Sequence, residues 1–78
     1  MPTIIRVGPY RFFFYSNEVG EPPHIHVQRA RALAKFWINP VDIASSAGFP
    51  AHGLSKLRKL VLEHGSHFKE AWNEYFGD

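Results

Sequence analysis

Apolar residues recur at two different spacings along this 78-residue chain, and the change of spacing divides it. Up to about residue 44 they alternate or form short runs, as strands do. From Leu54 onward they return every three or four positions, as on one face of a helix. Thr3 to Val7 is β-branched and Tyr10 to Tyr15 is almost wholly aromatic, with the turn dipeptide Gly8-Pro9 between them. That pattern predicts an N-terminal hairpin. Ser16 to Pro23 reads as a loop. His24 to Gln28 is a strand and Ala32 to Ile38 its antiparallel partner. Their connection, Arg29-Ala30-Arg31, lacks the Gly or Asn usual in so tight a turn. Asn39-Pro40 ends the second strand, and Val41 to Ala44 is either a fifth short strand or an irregular edge. Ser45 to Gly53, rich in Ser, Gly, Pro and Ala, reads as a linker.

Leu54, Leu57, Val61, His64, Phe68, Ala71 and Tyr75 then form one stripe, widened by Leu60 and Trp72. Gly65-Ser66 interrupts it with a poor helix former, yet the apolar register crosses that pair without a phase shift. The expectation is therefore one long helix over 54–76, kinked at Gly65, and not a helix-turn-helix. The fold class that follows is α+β. A small antiparallel sheet of four or five strands has one face covered by the C-terminal helix. The chain is a single domain over 1–78, with a β-rich region over residues 1–44, a linker over 45–53 and a helix over 54–76. If Ile25 and Val27 face the helix, strand pairing puts Ala32, Ala34 and Phe36 beside them. His24, His26, Leu33, Lys35 and Trp37 then share the opposite face.

Composition narrows the class. A domain this small buries only about 60–65% of its unfolded surface. With no cysteine, neither disulfides nor thiolate metal sites can reinforce it. Seven Phe, three Tyr and two Trp supply the apolar load instead. The formal charge is +2, but its placement is uneven. Arg6, Arg11, Arg29, Arg31 and Lys35 load the first half against Glu18 and Glu21. No apolar run approaches the ~20 residues of a membrane span, and the N-terminus lacks the basic and apolar regions of a signal peptide. A cytoplasmic location without membrane attachment is expected.

The stretch Glu21-Pro22-Pro23-His24-Ile25-His26-Val27 is the most suggestive chemically. The two prolines fix extended geometry ahead of the strand, so His24 and His26 project to one face. Three uses compete with a plain role as hydrogen-bonded sheet residues. Two imidazoles could ligate a divalent metal such as zinc, given a third ligand from Glu21, His52, His64 or His67, although no cofactor is required. With Glu21 and Lys35 as partners, His24 and His26 could run acid–base cleavage of a phosphodiester. That would make a small endoribonuclease or metal-dependent phosphodiesterase with Glu21, His24, His26 and Lys35 catalytic. Alternatively Arg11, Tyr15, His24, His26, Lys35 and Trp37 could form a platform that binds a protein partner, RNA or DNA, or a second copy of the chain. Near the C-terminus, Trp72, Tyr75 and Phe76 form one patch, either a cap on the core or an anchor for a partner.

Several segments carry a resemblance to a known family: Pro2-Thr3-Ile4, Tyr10 to Ser16, Glu21 to Val27, Ala34-Lys35-Phe36-Trp37 and Glu70 to Gly77. Together they resemble a small bacterial family catalogued as domain of unknown function 4160. The resemblance implies a gene beside another small gene, in an arrangement like toxin–antitoxin pairs, and implies no catalytic residues. The leading expectation is thus a small interaction or regulatory module. Its partner would be the small protein of the neighbouring gene, with nucleic acid a further ligand, and the histidine-bearing sheet face would do the binding.

Overall fold

A computed structural model describes residues 3–15 and 20–77. The expected loop over 16–23 therefore lies partly outside the described residues. Five strands follow one another as a meander: β1 (Thr3–Val7), β2 (Tyr10–Phe13), β3 (His24–Arg29), β4 (Ala32–Ile38) and β5 (Val41–Ala47). Sequential neighbours pair antiparallel throughout, in the spatial order β1-β2-β3-β4-β5. Two helices complete the α+β fold, α1 (Ala51–Glu63) and α2 (Gly65–Phe76).

The fifth strand is real and longer than the apolar pattern suggested. Val41 to Ala47 pairs with β4 across its whole length, with an irregularity opposite Lys35 and Phe36. Its Ala-Ser-Ser-Ala half carries no apolar signal, because it is backbone hydrogen bonding to β4 that holds an exposed edge strand. Gly48 follows at φ +91°, where a side chain would be strained. A Cβ there would also lie 3.1 Å from the Ala32 backbone. The glycine thus lets the end of β5 close onto the β3–β4 turn. That turn needs a left-handed residue too, and Ala30 supplies it at φ 53°. The Gln28 side-chain amide donates to the Ala30 carbonyl at 3.2 Å.

The expected single helix is corrected to two. Helix α1 begins three residues early, at Ala51 behind an extended Pro50, and the interruption falls at His64, whose φ of −102° and ψ of 12° leave the α region. The phase nevertheless survives. His64 N–H donates to the Leu60 carbonyl at 3.1 Å, and Phe68 N–H donates to the His64 carbonyl at 3.0 Å. Leu57, Val61, Phe68 and Trp72 are accordingly all buried. A sequence stripe reports phase, and phase is what the break preserves. Those four residues meet Phe12, Phe14, Ile25, Val27, Ala34, Phe36 and Ile38 in one core. Phe12 stacks on Phe68 at 5.3 Å, and Phe14 meets Trp72 edge-on at 5.1 Å.

Candidate functional site

The strand register defines the sheet face turned away from that core. Side chains directly opposite in an antiparallel pair share a face. Phe13, His26, Lys35 and Ser45 therefore form one row across β2 to β5. Arg11, Gln28, Leu33 and Ala47 form the next row, and His24, Trp37 and Asp42 the one on the other side. Five of the six expected binding residues, Arg11, His24, His26, Lys35 and Trp37, thus share one face. Tyr15, just beyond β2, joins them through its ring contact with His26 at 4.6 Å.

The two histidines differ sharply. Half-buried His26 is stacked on Phe13 at 5.4 Å and 23°. It borders a depression of about 350 Å³ lined also by Tyr15, Leu33, Lys35 and Ser45. His24 is 0% exposed. Its ring is packed among His26 at 5.1 Å, Trp37 at 5.7 Å and Trp72 of α2 at 4.8 Å. The carbonyl of Pro22 lies 2.9 Å from its Nδ1, so Nδ1 carries the donated proton. The expected pair of solvent-facing imidazoles is therefore one buried ring supporting one accessible ring. Spacing puts both on one side of the strand. It carries no information about Trp72, forty-eight residues on, which closes over the first.

Glu21 and Lys35 also meet, but with each other. Their ion pair is 2.8 Å long, with the side chains 44% and 21% exposed respectively. The Lys35 ammonium also lies 4.7 Å from the centre of the Trp37 ring. Arg11 is fixed in a comparable way. It donates to Thr3 Oγ1 at 2.8 Å and Gln28 Oε1 at 3.3 Å, with its guanidinium 4.4 Å from the Phe13 ring centre. The quartet Glu21, His24, His26 and Lys35 does converge, as expected for acid–base chemistry. The carboxylate, however, neutralises the lysine, and one of the imidazoles is closed to substrate.

Among the described residues, no three His, Asp or Glu side chains group closely enough to hold a metal ion. His64 and His67 instead lie against Phe68 on the helices, at 6.0 and 6.2 Å. The C-terminal aromatic patch caps the core: Trp72, Tyr75 and Phe76 all contact Phe14, at 5.1, 6.4 and 5.9 Å. Gln28, Asp42, Ser45 and Ala47 on the open face were not singled out beforehand. Gln28 could have been found by extending the His24, His26 alternation one step. Ser45 could not, because its half of β5 reads as a linker.

No helix of the described residues is long and apolar enough to cross a membrane. No curated protein and no solved structure matches the chain. A family model does match, over residues 10–73, spanning strands β2 to β5, the Pro-Pro-His-Ile-His segment and most of the two helices. The chain therefore belongs to the family described as domain of unknown function (DUF4160).

Proposed function

We propose that the chain is a binding module whose open sheet face, centred on His26, docks a protein partner. The observation that carries this reading is the composition of the depression beside His26. Tyr15 and Leu33 are 37% and 38% exposed there, beside the Glu21–Lys35 pair. Aromatic and aliphatic groups beside a satisfied charge pair make a desolvatable centre with a polar rim, the usual anatomy of a protein interface. Lys35, the cation that lines this depression, is already neutralised by Glu21, which favours a protein over nucleic acid there. Catalysis is the weaker reading, because Glu21 and His24 are both committed to internal contacts. The small protein of a neighbouring gene, implied by the family resemblance, is the partner to test first. Isothermal titration of the pure chain with that protein should give a complex of micromolar or better affinity. Leu33→Asp and His26→Ala should each weaken it at least tenfold, and a titration without heat or retention on a column would refute the reading.

A further inference from the structure

Folding sorts the charges of this chain in a way the linear sequence does not display. The β1–β2 turn, the β3–β4 turn, the end of β5 and the start of α1 all lie at one end of the sheet. Arg6 and Arg11 oppose each other one step from the first turn, and Arg29 and Arg31 flank Ala30 in the second. Lys56 comes from the second turn of α1. Its ammonium lies 5.9 Å from the Tyr10 ring centre, and the Arg29 guanidinium lies 5.8 Å from it. Those two charges are therefore within about 12 Å of one another. Among the described residues, none of the five cations forms an ion pair with a carboxylate. Ion pairs occur instead at Lys35 with Glu21 and at Arg58 with Asp42. The described acids lie elsewhere: Glu21 just before β3, Asp42 in register with Trp37, Glu63 at the far end of α1, and Glu70 and Glu74 on α2.

At this end Arg29, Arg31, Ala32, Gly48, Phe49 and Pro50 line a cavity of about 400 Å³. Two guanidinium groups with no carboxylate partner among the described residues sit at its rim, and a half-buried phenylalanine forms a section of its wall. Guanidinium forks match phosphate oxygens, and an aromatic wall accepts the face of an unstacked base. A base within a duplex is stacked on both faces, so the combination suits a single strand and not a duplex. We propose that this end of the sheet binds single-stranded nucleic acid. In that arrangement Arg29 and Arg31 hold backbone phosphate, Phe49 contacts a base, and Arg6, Arg11 and Lys56 add charge along the flanking strand. The cavity shares no lining residue with the depression beside His26, so different substitutions test the two readings.

The test is fluorescence anisotropy of the full chain with a labelled oligouridylate of about a dozen nucleotides over a salt series. A duplex of equal length and phosphatidylserine vesicles run in parallel. Binding at low salt should weaken at least tenfold in the Arg29→Ala/Arg31→Ala double variant. Its log–log salt slope should also be shallower by about 1.4, since each lost phosphate contact on a single strand removes about 0.7. Lys56→Ala should shift binding in the same direction, while Lys69→Ala on α2 should leave it unchanged within about twofold. The proposal is overturned by an oligonucleotide that does not bind up to about 100 μM chain, the weak limit of non-specific affinity. It is equally overturned by a folded double variant with wild-type affinity and slope, by preference for the duplex, or by binding to vesicles alone.

Discussion

Phe12 and Phe13 are neighbours on β2, point to opposite faces of the sheet and are 0% and 1% exposed. They reach the same burial by different means. Phe12 is closed from outside the sheet, by Phe68 of α2 stacked upon it. Phe13 is closed by its own face: His26 stacks on it, Tyr15 meets it edge-on at 5.2 Å, and the Arg11 guanidinium lies over it. Amphipathic side chains can cover apolar surface while keeping a polar edge in water. The helix-covered face is thus a core. The other is a self-shielding surface that still leaves Tyr15 and Leu33 exposed.

If that contrast is right, substitutions on the two faces should divide between stability and binding. The largest stability loss is expected from Phe12→Ala, which removes a fully buried ring from the helix-covered face. Denaturant titration should show a loss of about 3–5 kcal/mol, and a loss below about 1 kcal/mol would break the comparison. His24→Ala sharpens it further. This histidine belongs by register to the open face but by burial to the core, so a cost of about 2–3 kcal/mol is expected from its lost packing. His26→Ala, on the accessible ring, should cost about 1 kcal/mol or less and act mainly on binding. Glu21→Gln removes a partly exposed ion pair, and its cost should stay within about 1 kcal/mol and shrink with salt. Gly65→Ala should move stability the other way, by about 0.4–1 kcal/mol. A Cβ there meets nothing within 4 Å and the residue sits in a helix. A destabilised Gly65→Ala would mean the break at His64 depends on the glycine.

How far these faces were legible in the sequence follows from what alternation can encode. The Pro22-Pro23 lead-in and the Asn39-Pro40 stop bounded β3 and β4 closely enough to place His24, His26, Leu33, Lys35 and Trp37 on one side, in keeping with the pairing of His26 with Lys35. The helical stripe likewise identified Leu57, Val61, Phe68 and Trp72. What stayed hidden depends on tertiary neighbours or on backbone dihedrals. The burial of His24 needs Trp72, and the commitment of Glu21 needs Lys35, fourteen residues away. The early start of α1 at Ala51 had no capping side chain to announce it, since Pro50 holds the N-cap position without one. The clustering of Arg29 and Arg31 with Lys56 becomes visible only once β5 closes through Gly48 onto the β3–β4 turn.

On the proposed reading, the exposed apolar groups of the open sheet face serve binding and not folding. Leu33→Asp tests that most directly, because Leu33 is 38% exposed and lines the depression beside His26. Denaturation of the variant, set beside its titration with the neighbouring-gene protein, should give stability within about 0.5 kcal/mol of the wild type and affinity reduced at least tenfold. A variant that keeps wild-type affinity, or that unfolds, would contradict that division of labour between the faces.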